Sequence, residues 1–193
     1  MNLDIITVFL YSYLLGSIPF GLILTKTFLK KDVRKIGSGN IGATNVLRAG
    51  NKFLAAITLI LDLMKGYISV FITIFLFYDL IFLSGLACLL GHIFPFWLKF
   101  KGGKGIATYL GIILSFSYEY ALIFIICWLI ILSIFRYSSL SSIVSSFAVL
   151  MFSIIFDDLN INIFLFIVFI IFIYTHKENI FRLINKSENK VKL

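Results

Sequence analysis

Charge, histidine, proline and cysteine are all scarce in this 193-residue chain: 13% of its residues are charged, and it has two histidines, two prolines and two cysteines. So little charge excludes a disordered chain, which relies on polar and charged residues to stay solvated. Cys88 and Cys127 lie inside apolar runs. They exclude a disulfide scaffold or cysteine metal site and read as packing residues. No basic leader or small-residue cleavage site precedes the first apolar run, so the stretch from Asp4 onward is expected to be a retained span and not a signal peptide. What fills the chain is apolar: 61% hydrophobic and 17% aromatic, with a mean hydropathy of +1.06. Soluble domains hold about 45–50% apolar residues. A soluble enzyme of this size has nowhere to bury the excess. The composition is that of a polytopic membrane protein.

Only helices can cross in such a chain, because each span must satisfy its own backbone hydrogen bonds. The expected fold is all-α, a single transmembrane domain over 1–193. Its seven apolar runs fall near 4–27, 53–78, 80–98, 106–117, 120–135, 139–156 and 160–175. The fourth run is short, and the fifth and seventh are marginal against the roughly 20 residues a crossing needs.

Alternating the connections between two sides puts 15 of the 17 Lys and Arg on one side, in segments 28–52, 99–105, 136–138 and 176–193. The other side holds Asp4, Asp79, Glu119, Asp157 and Asp158 and no cation. The positive-inside rule then places the N-terminus outside and the C-terminus in the cytosol. A re-entrant hairpin at 106–117 would flip every later connection and expose Arg136 and the basic tail. The fourth run is therefore expected to be a tilted or partly buried crossing. The net charge of +8 belongs to the cytosolic face, and Lys186, Lys190 and Lys192 suit anionic lipid headgroups. No soluble basic domain exists to bind nucleic acid.

The first cytosolic loop, KDVRKIGSGNIGATNVLRAGNK from Lys31 to Lys52, carries glycine, amide and cation together. Gly37, Gly39 and Gly42 fit G-x-G-x-x-G, but that dinucleotide motif works between a strand and a helix of a βαβ unit. Between membrane spans it is not a Rossmann site. Glycines still let backbone N–H groups approach an oxyanion, and a helix starting near Ala43 would aim its positive end the same way. Ser38, Asn40, Thr44 and Asn45 add short polar donors, and Arg48 lies one turn beyond Thr44. The loop reads as a phosphate binder, or else as a solvated flexible connection. A second loop, Lys99-Phe-Lys101-Gly-Gly-Lys104-Gly, sets three cations among three glycines. It is no Walker A loop, since Gly105 stands where Ser or Thr would hold magnesium. It reads as a second anion nest with Lys104 pointing in, or as a tight turn with positive-inside lysines. Two such loops on one face strengthen the phosphate reading.

The third corner, Arg136-Tyr-Ser-Ser-Leu-Ser-Ser142, offers hydroxyls at a helix start, where Ser138 or Ser139 would serve as an N-cap. In the fourth, His176 sits where the last span ends, with Asn179 one turn on. His176 is the residue on that face whose ordinary pKa suits proton transfer near neutrality. His92, before Pro95, is equally well structural. Asp62 and Lys65 lie midway along the second run on one helix face. They form a structural ion pair or a proton-pathway site, and the pair is favoured.

GSIPFG at 16–21, GSGNIGATNVLR at 37–48, DLMKG at 62–66, GHIFPFWLKFKGGKGIAT at 91–108 and YTHKEN at 174–179 resemble the bacterial acyl-phosphate:glycerol-3-phosphate acyltransferase family, also called PlsY. The resemblance runs in order along the whole chain. It implies a seven-helix enzyme of the bacterial cell (inner) membrane with its active site toward the cytosol. The implied reaction moves a fatty acyl group from acyl phosphate to the 1-hydroxyl of glycerol 3-phosphate, giving lysophosphatidate and phosphate. It implies catalytic roles for Ser38, Arg48, Lys104 and His176. Substrate or phosphate binding falls to Gly37, Ser38, Gly39, Asn40, Thr44, Asn45, Arg48, Gly102, Gly103, Lys104, Ser139, Ser142, His176 and Asn179, with no metal and no cofactor. Neither histidine begins an H-x-x-x-x-D motif, since Trp97 and Phe181 stand five residues on; this agrees with a donor other than a thioester. A soluble acyl-phosphate synthase docking on the basic face is left open. A membrane transporter of a phosphate ester is the alternative. It wants a gate on each face and often an inverted repeat, and neither shows in the sequence.

Overall fold

The computed structural model describes residues 2–191, all helix, turn or irregular chain. Lys192 of the basic tail lies outside the described residues. The chain divides into two compact units, Met1–Ser115 and Phe116–Leu193.

The first unit contains α1 (Asn2–Gly16), α2 (Phe20–Leu29), α3 (Ala43–Arg48), α4 (Lys52–Leu76), α5 (Ile81–Ile93) and nearly all of α6 (Ile106–Phe116). The first apolar run is broken, not continuous as its composition suggests. Pro19 cannot extend a helix, so α1 ends at Gly16 and α2 restarts at Phe20. The broken turn's carbonyls find donors: Ser17 Oγ donates to the Leu14 oxygen at 2.7 Å, Trp97 Nε1 to the Ser17 oxygen at 2.8 Å and Lys65 Nζ to the Ile18 oxygen at 2.8 Å.

Helices of this unit touch through glycine. A Cβ at Gly16 would collide with the Cys88 backbone, one at Gly91 with Tyr13, one at Gly66 with Thr108 and one at Gly111 with Leu63. Glycine at such crossings lets backbones approach, the packing that holds helices where lipid removes the hydrophobic drive. Hydroxyls add a buried ladder, with Ser84 Oγ 2.9 Å from Ser12 Oγ and 3.0 Å from Ser69 Oγ. Tyr11 and Thr73 bond beside it. Large apolar side chains such as Phe53, Phe75 and Leu76 point outward instead. Polar inside and apolar outside suits lipid.

The second unit contains α7 (Tyr118–Phe135), α8 (Ser138–Phe156), α9 (Leu159–Thr175) and α10 (Lys177–Ile184). Left-handed Arg136, at φ 63°, ends α7. Neither Ser138 nor Ser139 caps α8, contrary to expectation; Tyr137 holds that position with no side-chain bond. The seventh run bends by 62° at His176, where α9 passes into α10.

Among the described residues, five segments are long and apolar enough to cross a membrane (Leu3–Leu29, Lys52–Leu76, Tyr78–Leu98, Tyr118–Phe135 and Ser138–Phe156), or six if the bent α9–α10 pair is one span. The 11 residues of α6 reach only about 16 Å. Each apolar run from the sequence still corresponds to a helix or broken helix. Cys88 and Cys127 are unpaired thiols, and Asp62 pairs with Lys65 at 2.8 Å.

Candidate active site

The first loop is knotted around one side chain. Asn45 sits on the short helix α3, which starts at Ala43 as its sequence suggests, and it is buried. Its Nδ2 donates to the carbonyls of Val33 at 2.9 Å, Ile36 at 2.9 Å and Asn40 at 2.7 Å, while its Oδ1 accepts from Ser38 N at 3.0 Å. Asn40 turns its own Oδ1 back to Gly42 N at 2.9 Å. The Asn45 amide is thus committed to loop backbone and shapes the loop instead of offering donors outward, while Asn40 commits its Oδ1. Gly37 closes the knot. Its φ of +54° is left-handed, and a Cβ there would strike Asn45 Oδ1 and lie 3.1 Å from Arg48 Cδ. Only glycine fits. Beneath, Val33, Ile41 and Val46 pack with Leu22, Leu54 and Ala55.

Other side chains of the loop remain outward. Ser38 and Arg48 are exposed and Thr44 half-buried. Among the described residues, no hydrogen bond engages the Ser38 or Thr44 hydroxyl or the Arg48 guanidinium. The neighbouring Arg34 is different: it grips Asp32 through two bonds of 2.9 and 2.7 Å. That hydrogen bonding from Arg34 holds the Asp32 carboxyl well below the usual range and raises the Arg34 pKa in return. Arg34 is neutralised locally, whereas Arg48 offers a whole positive charge.

The second loop does not form an amide nest, a correction to the expectation for Gly102 and Gly103. Its amides turn inward. Phe100 N donates to the Pro95 oxygen at 3.0 Å, Gly102 N to Ile93 at 2.9 Å and Gly103 N to His92 at 3.0 Å. These bonds cap the carbonyl end of α5. Lys99 and Phe100 both adopt left-handed backbone, at φ 53° and 60°, to make the turn. A Cβ on Gly102 would strike the His92 oxygen, and one on Gly103 the His92 imidazole. The glycines serve close packing, and the half-buried Lys104 emerges from a fixed turn. Leu98, just before it, packs on the apolar cluster beneath the first loop. The two glycine loops of this unit therefore share a floor.

In the second unit three donors meet one carboxylate. Glu188 Oε1 accepts from Ser139 Oγ at 3.0 Å and Asn179 Nδ2 at 2.6 Å, and its Oε2 accepts from Arg182 Nε at 2.7 Å. Burial raises the Glu188 pKa, but the bonds from Arg182, Asn179 and Ser139 outweigh it and bring the net value below the ordinary range. Ser142 Oγ donates to the Ser138 oxygen at 2.9 Å and lies 3.2 Å from Trp128 Nε1. Ser139, Ser142 and Asn179 thus have structural partners. The buried His176 lies 2.9 Å through Nδ1 from the Phe172 carbonyl, which can only accept. That places a proton on Nδ1.

Sequence reasoning passed over Glu188 and Arg182, which sit in an unremarkable basic tail. It also missed the Trp97 bond to the broken span, whose signal was Pro19. Among the described residues no group of three or more His, Cys, Asp or Glu side chains could hold a metal ion.

Residues 6–186 match the family described as glycerol-3-phosphate acyltransferase. The chain belongs to that family. It is 54% identical over 191 residues to a glycerol-3-phosphate acyltransferase of Pelagibacter ubique (strain HTCC1062), covering 99% of this chain and 100% of the relative. Its identity to the Mesorhizobium japonicum protein of the same name is 46% over 191 residues, covering 99% and 98%. Among solved structures it resembles PlsY (YgiH), an integral membrane glycerol 3-phosphate acyltransferase, in its glycerol 3-phosphate form. That match has a TM-score of 0.92 and 37% identity and covers 98% of this chain and 96% of the other. The lysophosphatidic acid form of PlsY matches with a TM-score of 0.90 at 36% identity. The acyltransferase is thus a membrane enzyme of lipid biosynthesis, with the fold of PlsY.

Proposed function

We propose that this chain moves a fatty acyl group from acyl phosphate to the 1-hydroxyl of glycerol 3-phosphate, releasing lysophosphatidate and inorganic phosphate. The observation that carries the reading is the first loop: Ser38, Thr44 and Arg48 point outward from a backbone that Asn45 fixes from below. A preorganised cation with hydroxyls beside it suits a phosphate monoester, and the ordering is done before substrate arrives.

In the first unit, Arg48 and Lys104 bind phosphate charge, with Ser38 and Thr44 as hydroxyl partners. Gly37 and Gly39, at φ +54° and +71°, shape that loop. In the second, His176 orients substrate through Nε2, while Ser139, Ser142 and Asn179 support the structure around it. Acyl phosphate is already activated, so no acyl-enzyme is needed. The 1-hydroxyl oxygen bonds to the acyl carbon and the bond from that carbon to the phosphate oxygen breaks. The hydroxyl proton passes to an oxygen of the departing phosphate, which leaves as hydrogen phosphate. His176→Gln abolishing turnover with glycerol 3-phosphate binding intact would instead make His176 the general base. An acyl ester trapped on Ser38 would establish a covalent route.

The whole chain, 1–193, acts as one transmembrane domain crossing seven times, α6 included, with the N-terminus outside. The catalytic residues then face the cytosol at the bacterial inner membrane. The charge asymmetry supports this orientation, and a soluble acyl-phosphate synthase would meet the basic cytosolic segments. Purified protein given acyl phosphate and labelled glycerol 3-phosphate tests the reading. Lysophosphatidate is expected; uptake into vesicles without product would favour the transporter instead.

A further inference from the structure

Two residues midway along α4 and one near the end of α5 form a polar row that the proposed chemistry does not use. Asp62, Lys65 and His92 are each no more than 4% exposed. Lys65 Nζ pairs with Asp62 Oδ1 at 2.8 Å, and the same Oδ1 lies 3.7 Å from His92 Nδ1. Buried ions in a membrane protein are expensive and mark function more often than fold. The row has a definite start and end. At one end Lys65 Nζ reaches the Ile18 carbonyl at 2.8 Å, in the break of the first span, and lies 5.6 Å from the Phe20 ring centre. At the other, the His92 imidazole lies against Gly103 closely enough that no Cβ could fit between them, and its carbonyl accepts from Gly103 N at 3.0 Å.

We propose that the His92 imidazole, backed by the buried Asp62–Lys65 pair across a 3.7 Å gap that no hydrogen bond closes, is a strut that sets the position of the Gly102–Lys104 turn, with His92 as the positioning residue that bears on it. The proposal rests on the reading of Lys104 as a phosphate-binding cation. His92 touches the turn twice, through ring and carbonyl. Lys65 fixes the other end of the row to the backbone between α1 and α2. The backbone that carries Lys104 is then held by the imidazole packed beneath Gly103 as well as by its bonds to the end of α5. Removing the imidazole frees the turn while leaving Lys104 itself in the chain, so binding suffers more than the chemical step.

The test uses the full chain purified in detergent, with three readouts. His92→Ala is expected to speed amide hydrogen exchange at Gly102 and Gly103 about tenfold and to raise KM for glycerol 3-phosphate about tenfold, with a smaller fall in kcat. His92→Asn, which keeps a polar planar group beneath Gly103, should recover most of both. If exchange at 102–103 stays at the wild-type rate, or KM rises without it, the strut is overturned. Should His92→Ala fail to fold, Gly103→Ala presses on the ring from the other side. The chain has two histidines, so ¹⁵N-histidine labelling in a His176→Gln background isolates the His92 signals. The Nε2 resonance is expected to move in Gly103→Ala, and an unmoved signal sinks the proposal. Full turnover by Lys104→Ala would overturn the Lys104 reading alone, since exchange and resonance judge the strut without any assay of activity.

Discussion

The two glycine loops of the first unit look alike on paper, yet they hold their cations by opposite means. In the loop around Ser38, one buried amide, Asn45, ties three carbonyls and one N–H together, and Ser38 and Arg48 are left exposed. In the turn before Lys104, the backbone ties itself to the end of α5, and glycine is present because His92 leaves no room for a Cβ. Glycine means backbone handedness in the first case and close packing in the second. Composition cannot separate these two uses.

The largest expected effect comes from the cations. Arg48→Ala should lower kcat/KM by on the order of a thousandfold, the scale for losing a preorganised charge donor, as read by labelled lysophosphatidate formation. If Lys104→Ala falls far less than Arg48→Ala, the two loops do not share the phosphate work equally. Next is the hub. Asn45→Ala leaves the Ser38 N–H and the Asn40 carbonyl without partners and strips a second donor from the Val33 and Ile36 carbonyls, so it should destabilise the loop by about 2–4 kcal/mol; thermal unfolding in detergent and a raised KM would report it. Gly37→Ala is strained twice, by its φ of +54° and by Asn45 Oδ1. It should cost about 1–3 kcal/mol; Gly50→Ala, at φ +97° but with nothing within 4 Å of its Cβ, meets backbone strain alone and should lose less activity.

The second unit supplies a pH-dependent contrast. The Glu188 pKa is lowered on folding, so its contribution is complete above the ordinary glutamate value of about 4.3 and fades as pH falls below that. A spin label at Asn189 should therefore become mobile as pH drops from 6 to 3, and Glu188→Gln should be mobile throughout. The smallest effect belongs to Asp32→Asn. That pair with Arg34 is largely exposed and should be worth under about 1 kcal/mol, so turnover should change by a few-fold at most.

Much of this was legible because membrane physics leaves a strong trace. Seven apolar runs, the helix start at Ala43 and the Asp62–Lys65 pair could be read from run length and spacing. The break at Pro19 was equally visible as a residue, but its consequence depended on Trp97 and Lys65, distant donors that no local pattern reveals. Asn45 was expected to face a ligand and instead faces the loop, because a short amide serves either purpose and only the surrounding carbonyls decide. Glu188 was invisible for the same reason: an isolated acid in a basic tail acquires meaning only from Arg182, Asn179 and Ser139.

The gap between α1 and α2 also bears on how the protein is made. Bare carbonyls in hydrocarbon cost several kcal/mol each. The Ser17 oxygen finds its donor 80 residues downstream, and the Ile18 oxygen, already engaged by Phe20 N at 3.2 Å, gains a second donor 47 residues downstream. The bonds that complete the opening span can therefore form only once Trp97 has been synthesised.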